Sequence, residues 1–103
     1  MMKNVILSSD AEACVYSVPE AVADNLAAVC WDFSVNWLRT SPHAQKHRSV
    51  INGITVIHYD ASDFIDYLNR WKYPEQPSRL IKRLRCMFYE LPAEYAGLPQ
   101  YNF

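Results

Sequence analysis

Glycine is scarce: the 103-residue chain has two, Gly53 and Gly97. That excludes the glycine-rich loops that cradle phosphates, which need several residues without a Cβ so that the backbone can close on the ligand. Gly53 follows Asn52 between β-branched runs and marks a hairpin turn. Cysteine is sparse too. Cys14, Cys30 and Cys86 form no CxxC pair, so neither a zinc knuckle nor a dithiol redox site is supported. Three widely spaced thiols fit free, mostly buried side chains in a reducing compartment. No apolar stretch approaches the roughly 20 residues that cross a bilayer. The early apolar run "VIL" is too short for the core of a signal peptide. A soluble cytoplasmic protein is expected. Internal repeats and low-complexity tracts are missing as well.

Hydrophobic residues make up 50% of the chain and aromatics 14%, enough for one real core at this length. The net charge of −1 is unevenly spread. Residues 1–68 hold eight acids and four bases, and residues 69–103 hold three acids and six bases. A chain so balanced is not a general polyanion binder, and any such role must rest on the basic segment "LNRWKYPEQPSRLIKRLR".

"KNVILSS" predicts a strand at 3–8 and "ACVYSV" a second at 13–18, joined by "SDAE". Ser17, Pro19 and Glu20 suggest a capping box opening a helix over 19–40, stopped by Ser41-Pro42. On a wheel of 100° per residue, Val22, Leu26, Val29, Cys30, Phe33 and Trp37 form a core stripe. Ala27, Trp31, Val35 and Leu38 form a second arc roughly opposite. "SVINGITVIHY" predicts a hairpin of strands 48–51 and 54–59. Asp60 caps a helix at 61–71, with Phe64, Leu68 and Trp71 inward and an Asp66–Arg70 pair outward. Ser78 is placed to cap a helix at 79–88, and the aromatic tail 89–103 reads as irregular chain or a short strand. The fold class expected is α+β: a single domain in which an antiparallel sheet from two hairpins packs on one long helix and two shorter ones.

On the helix at 79–88, Leu80, Ile81, Leu84, Met87 and Phe88 share one arc and Arg79, Lys82, Arg83 and Arg85 the other. The plain reading is an amphipathic helix solvated on its charged side. The sharper one adds Lys72, Trp71 and Tyr73 to make a polyanion-binding patch with salt-dependent affinity. No helix-turn-helix, zinc-finger or RNA-binding signature accompanies it. His43 and His47 stand four apart but fall in a loop without a nearby carboxylate or an HExxH pattern. His58 lies near a strand end beside Asp60, and reads as structural. Cys30 sits in the core stripe, where a thiol is inert. Asp60, Asp63 and Asp66 read as helix-start charges. No catalytic residue, metal site or cofactor is expected.

The stretches "VPEAVADNL", "WLRTSP", "DFIDYLNRW" and "YNF" resemble a family of small domain-of-unknown-function proteins of gut Firmicutes, carried by phage or other mobile elements. The resemblance implies a context rather than a chemistry: such proteins act by binding a host protein, and an anti-CRISPR-like inhibitor is one form. The expectation is therefore a non-enzymatic protein-binding module, with Trp31, Val35 and Leu38 as contacts unless the tail or the helix at 79–88 covers them. The alternatives are a nucleic-acid-binding module using Lys72, Arg79, Lys82, Arg83 and Arg85, and a self-associating structural protein.

Overall fold

A computed structural model describes residues 1–9, 12–87 and 90–103. In chain order its elements are β1 (Met2–Ser9), β2 (Glu12–Pro19), α1 (Glu20–Asp24), α2 (Leu26–Trp31), a π-helical stretch Asp32–Trp37, and α3 (Leu38–Thr40). A 3₁₀ segment Pro42–His47 leads into β3 (Arg48–Ile51) and β4 (Ile54–Ile57). Then come α4 (Ala61–Tyr67), which continues as a π turn Leu68–Lys72, β5 (Arg79–Met87) and β6 (Gln100–Asn102).

The α+β class holds, but the sheet differs from the expected one. β1 and β2 pair antiparallel from Met2 opposite Pro19 to Ser9 opposite Glu12. They form the centre of a four-stranded mixed sheet of order β5-β2-β1-β6, in which β6 runs parallel to β1. Val5, Leu7, Cys14, Tyr16 and Val18 bury one face against the helices. Ile6, Ala13 and Val15 bury the other against Leu84, Leu91, Tyr95 and Leu98. With both faces covered, these strands read as near-continuous apolar runs. Ser8 Oγ donates to Asn102 Oδ1 at 2.8 Å, and Phe103 N–H to the Ser8 carbonyl at 2.8 Å, which fastens the chain's end to β1. The second predicted hairpin forms with its expected turn, Asn52 at φ 52° and Gly53 at φ 78°. It stays outside the main sheet as a separate two-stranded ribbon.

The long helix is corrected to a broken one. Ser17 remains in β2 opposite Asn4, and no side chain caps α1; Glu20 instead meets Lys3 Nζ at 3.2 Å. Asn25, at φ −131° and ψ 35°, interrupts the helix between α1 and α2. Beyond Trp31 the coil widens, and the Leu38 N–H reaches the Phe33 carbonyl five residues back, the bonding of a π turn. At 100° per residue Phe33 and Leu38 would stand about 140° apart. The wider turn brings both into the core, where each is fully buried. Phe33 packs there against Trp37, Tyr59, Phe64 and Tyr67, with ring centroids 5.0–5.8 Å away.

Asp60 caps α4 as predicted: its carboxylate accepts from Asp63 N–H at 3.1 Å, while the Asp63 carboxylate accepts from Asp60 N–H at 2.9 Å. Phe64 and Leu68 face inward. Trp71, predicted to join them, lies within the π turn, is exposed, and stacks on His43 with centroids 4.0 Å apart.

The predicted helix at 79–88 is also corrected. Residues 79–87 form β5, and Phe88 lies outside the described residues. Arg, Leu and Lys favour helices intrinsically. The open edge of β2, however, presents backbone donors and acceptors beside a buried face, and pairing with β5 satisfies them. Ser78 caps no helix; its backbone is held by Asn69. Among the described residues no helix is long and apolar enough to cross a membrane.

Candidate functional site

The β3–β4 ribbon is fixed at its base and bare beyond it. The Arg48 guanidinium donates to the Leu38 carbonyl at 3.0 Å and the Ser41 carbonyl at 2.9 Å, tying β3 to the end of the helical region. His47 Nδ1 donates to the His58 carbonyl at 3.2 Å, and His58 Nε2 lies 2.8 Å from Ser49 Oγ. Ile57 packs on the main core. Past that anchorage Val50 is 74% exposed, Ile51 56% and Ile54 66%, and Val56 is exposed as well.

Cross-strand pairing sorts these side chains. Ile51 opposes Ile54 and Ser49 opposes Val56, so all four share one face. Val50 and Thr55 occupy the other, together with Arg48 and Ile57. No charged residue occurs from Ser49 to Ile57. The result is an arm with a neutral, branched aliphatic face turned to solvent. Its sequence carried the signal: "VINGITVI" is a hairpin with no charged side chain and, outside the Asn52-Gly53 turn, Thr55 as its one polar residue. Placing it in the covered sheet hid that consequence.

The three contact candidates on the second arc, Trp31, Val35 and Leu38, separate. Trp31 is 63% exposed and Val35 37%, whereas Leu38 is fully buried and offers nothing to a partner. The π turn is the cause, since it rotates Leu38 away from the Trp31 side. Neither the tail nor β5 covers Trp31.

The basic cluster is dispersed in a similar way. Arg79 and Lys82 oppose Ser17 and Val15, on the sheet face covered by the tail. Arg83 opposes Cys14, on the helix face. Arg85 sits at φ 55° in an irregular stretch of β5. Lys72 belongs to the π turn and lies over the Tyr73 ring, 5.8 Å from its centroid. The single cationic arc expected of a helix therefore does not exist. Among the described residues none of these five cations joins an ion pair.

A cleft of about 240 Å³ lies between β2 and the start of α4, lined by Ser9, Glu12, Cys14, Tyr16, Asp60, Ser62 and Arg83. Burial, and then the Glu12 carboxylate, push the Cys14 thiol up. Burial likewise raises the Tyr16 hydroxyl. The Ser62 hydroxyl, donating at 2.7 Å, helps hold Asp60 below the usual carboxylate range. Cys30, enclosed in the core, is pushed up to about 12. His43 and His47 do not converge: one stacks on Trp71 and the other is tied to a carbonyl. No protein-family model, curated protein or solved structure matches the chain.

Proposed function

We propose that the protein is a non-enzymatic protein-binding module whose contact element is the β3–β4 arm. The observation that carries this reading is the uncharged aliphatic face of Ile51, Ile54 and Val56, held out from the body by Arg48 and Ile57. Aliphatic side chains gathered on a projecting ribbon are costly in water, and covering them with a partner recovers about 25 cal/mol for each Å² removed from solvent. Trp31 and Val35 supply a further exposed aromatic and aliphatic pair, and a large indole is a favoured interface anchor. A mobile-element inhibitor acting on a host protein would use a surface of this kind.

The nucleic-acid reading is less well supported. Its cations are divided between two faces of a sheet, and a phosphate backbone would meet only part of them at once.

The test places a photo-crosslinking residue at Ile54 in the full chain, with a control at exposed Glu75, and irradiates living cells. A protein adduct from Ile54 and none from Glu75 is the expected result. Equal adducts from both positions, or none from Ile54, would remove the arm as a contact element.

A further inference from the structure

We infer that the arm's partner is a second copy of this chain, with β4 of one copy pairing antiparallel to β4 of the other in a four-stranded intermolecular sheet. This rests on the arm being a docking element, and it names the occupant.

Incompleteness is the first ground. A two-stranded ribbon is marginal alone in water, and independent stability takes three or more strands with an apolar face. The arm has only two, with its aliphatic face uncovered. Pairing at β4 supplies the missing strands from an identical ribbon and continues the Ile51–Ile54–Val56 strip across a two-fold axis.

Charge decides which edge meets itself. A two-fold contact brings each patch against its own copy, so it must be self-complementary. β4, "ITVI", carries no charge, and its copies meet without repulsion. β3 begins with Arg48, whose guanidinium is already engaged with the body. β5, nine residues long, is an edge of the main sheet. It carries Arg79, Lys82, Arg83 and Arg85, and no acid occurs from 76 to 89. Two copies of β5 would set like charges opposite each other, which is unfavourable. Its register shifts against β2 and the positive φ at Arg85 further roughen it as a template. The β5 edge is therefore protected against self-pairing and the β4 edge left open to it. The net charge of −1 adds little long-range repulsion between copies.

Sedimentation of the purified full chain over a range from low to high micromolar tests the inference. The expected result is a concentration-dependent shift from 12.0 kDa toward twice that mass. Ile54→Lys with Val56→Lys, at solvent-facing positions that leave the core intact, should keep the circular dichroism of the parent. It should also weaken self-association by about tenfold or more, since like charges then face each other across the strand pair. Arg79→Glu with Lys82→Glu on β5 should leave the dimer unchanged. A wild-type chain that stays monomeric throughout, or a folded arm variant that dimerises as the parent does, would overturn the inference. The crosslink at Ile54 separates the two proposals. An adduct of two identical chains supports this one, whereas an adduct solely with a different protein overturns it and leaves the protein-binding reading standing.

Discussion

Asn69 and Ser78 hold each other at two points. The Asn69 side-chain amide donates to the Ser78 carbonyl at 3.0 Å, and the Ser78 N–H donates to Asn69 Oδ1 at 2.6 Å. The pair closes the loop "KYPEQP" and sets where β5 begins. Ser78 is buried, so Asn69→Ala would strand a backbone donor and an acceptor away from water. The expected loss is about 1–3 kcal/mol in urea unfolding. Ser78 Oγ is itself buried with no hydrogen-bond partner among the described residues. Ser78→Ala should therefore be neutral or stabilise by up to about 1 kcal/mol. A marked destabilisation by Ser78→Ala would show that the hydroxyl has a role the backbone clamp does not explain.

The reciprocal cap of Asp60 and Asp63 gives stability an acid limb. Hydrogen bonds to Asp60, that from Ser62 foremost, lower its pKa in the folded state below 3.8. The unfolded chain then binds the proton more readily. The contribution is accordingly present above the ordinary carboxylate pKa and lost as pH falls through the depressed one. Asp60→Ala should cost about 1 kcal/mol at neutral pH, as other N-cap deletions do. Thermal melts at descending pH should show parent and variant converging below about pH 4. A constant gap down to pH 2 would mean that the charge is not what the cap uses.

The thiols are graded by enclosure. Cys30 is fully buried and pushed up to about 12, Cys14 is buried beside Glu12, and Cys86 on β5 is half-exposed. Thiolate is the reacting species, so alkylation of the native chain should label Cys86 first and Cys30 only as the core opens. Peptide mass spectrometry of a timed alkylation series reads the order. Labelling of Cys30 at the rate of Cys86 would contradict the packing around Phe33.

What could be read from the sequence was local. The Asn52-Gly53 turn, the neighbouring strands β1 and β2, and the Asp60 cap are each decided within a few residues, and all three stand in the structure. Distant pairings left no such trace. β6 joins β1 from the far end of the chain, and Ser8 bonds Asn102 across 94 residues. "RLIKRLRCM" satisfies a helical wheel, yet it forms a strand because β2 has an edge to fill, and this dispersed the cations. The arm's exposure has another cause. Val50, Ile51, Ile54 and Val56 look like core residues, but being apolar does not place a side chain inside. Only the topology reveals that the ribbon stands apart from the main sheet.

Trp31 and Leu38 provide the sharpest check on the helical region. Seven residues at 100° each would set them within about 20° of one another on a straight α-helix, and truncating either would then have similar consequences. The π turn between them breaks that equivalence, leaving the indole 63% exposed and the leucine fully enclosed. Leu38→Ala should cost about 2–5 kcal/mol through lost burial and the cavity it leaves. Trp31→Ala should stay within about 0.5 kcal/mol of the parent, as surface changes do. Guanidinium unfolding of the two variants measures the difference directly. Equal losses would mean that the helix runs through Asp32–Trp37 without widening, and Leu38 would return to the solvent side with Trp31. A large loss for Leu38 alone would confine the exposed apolar part of this helix to Trp31 and Val35.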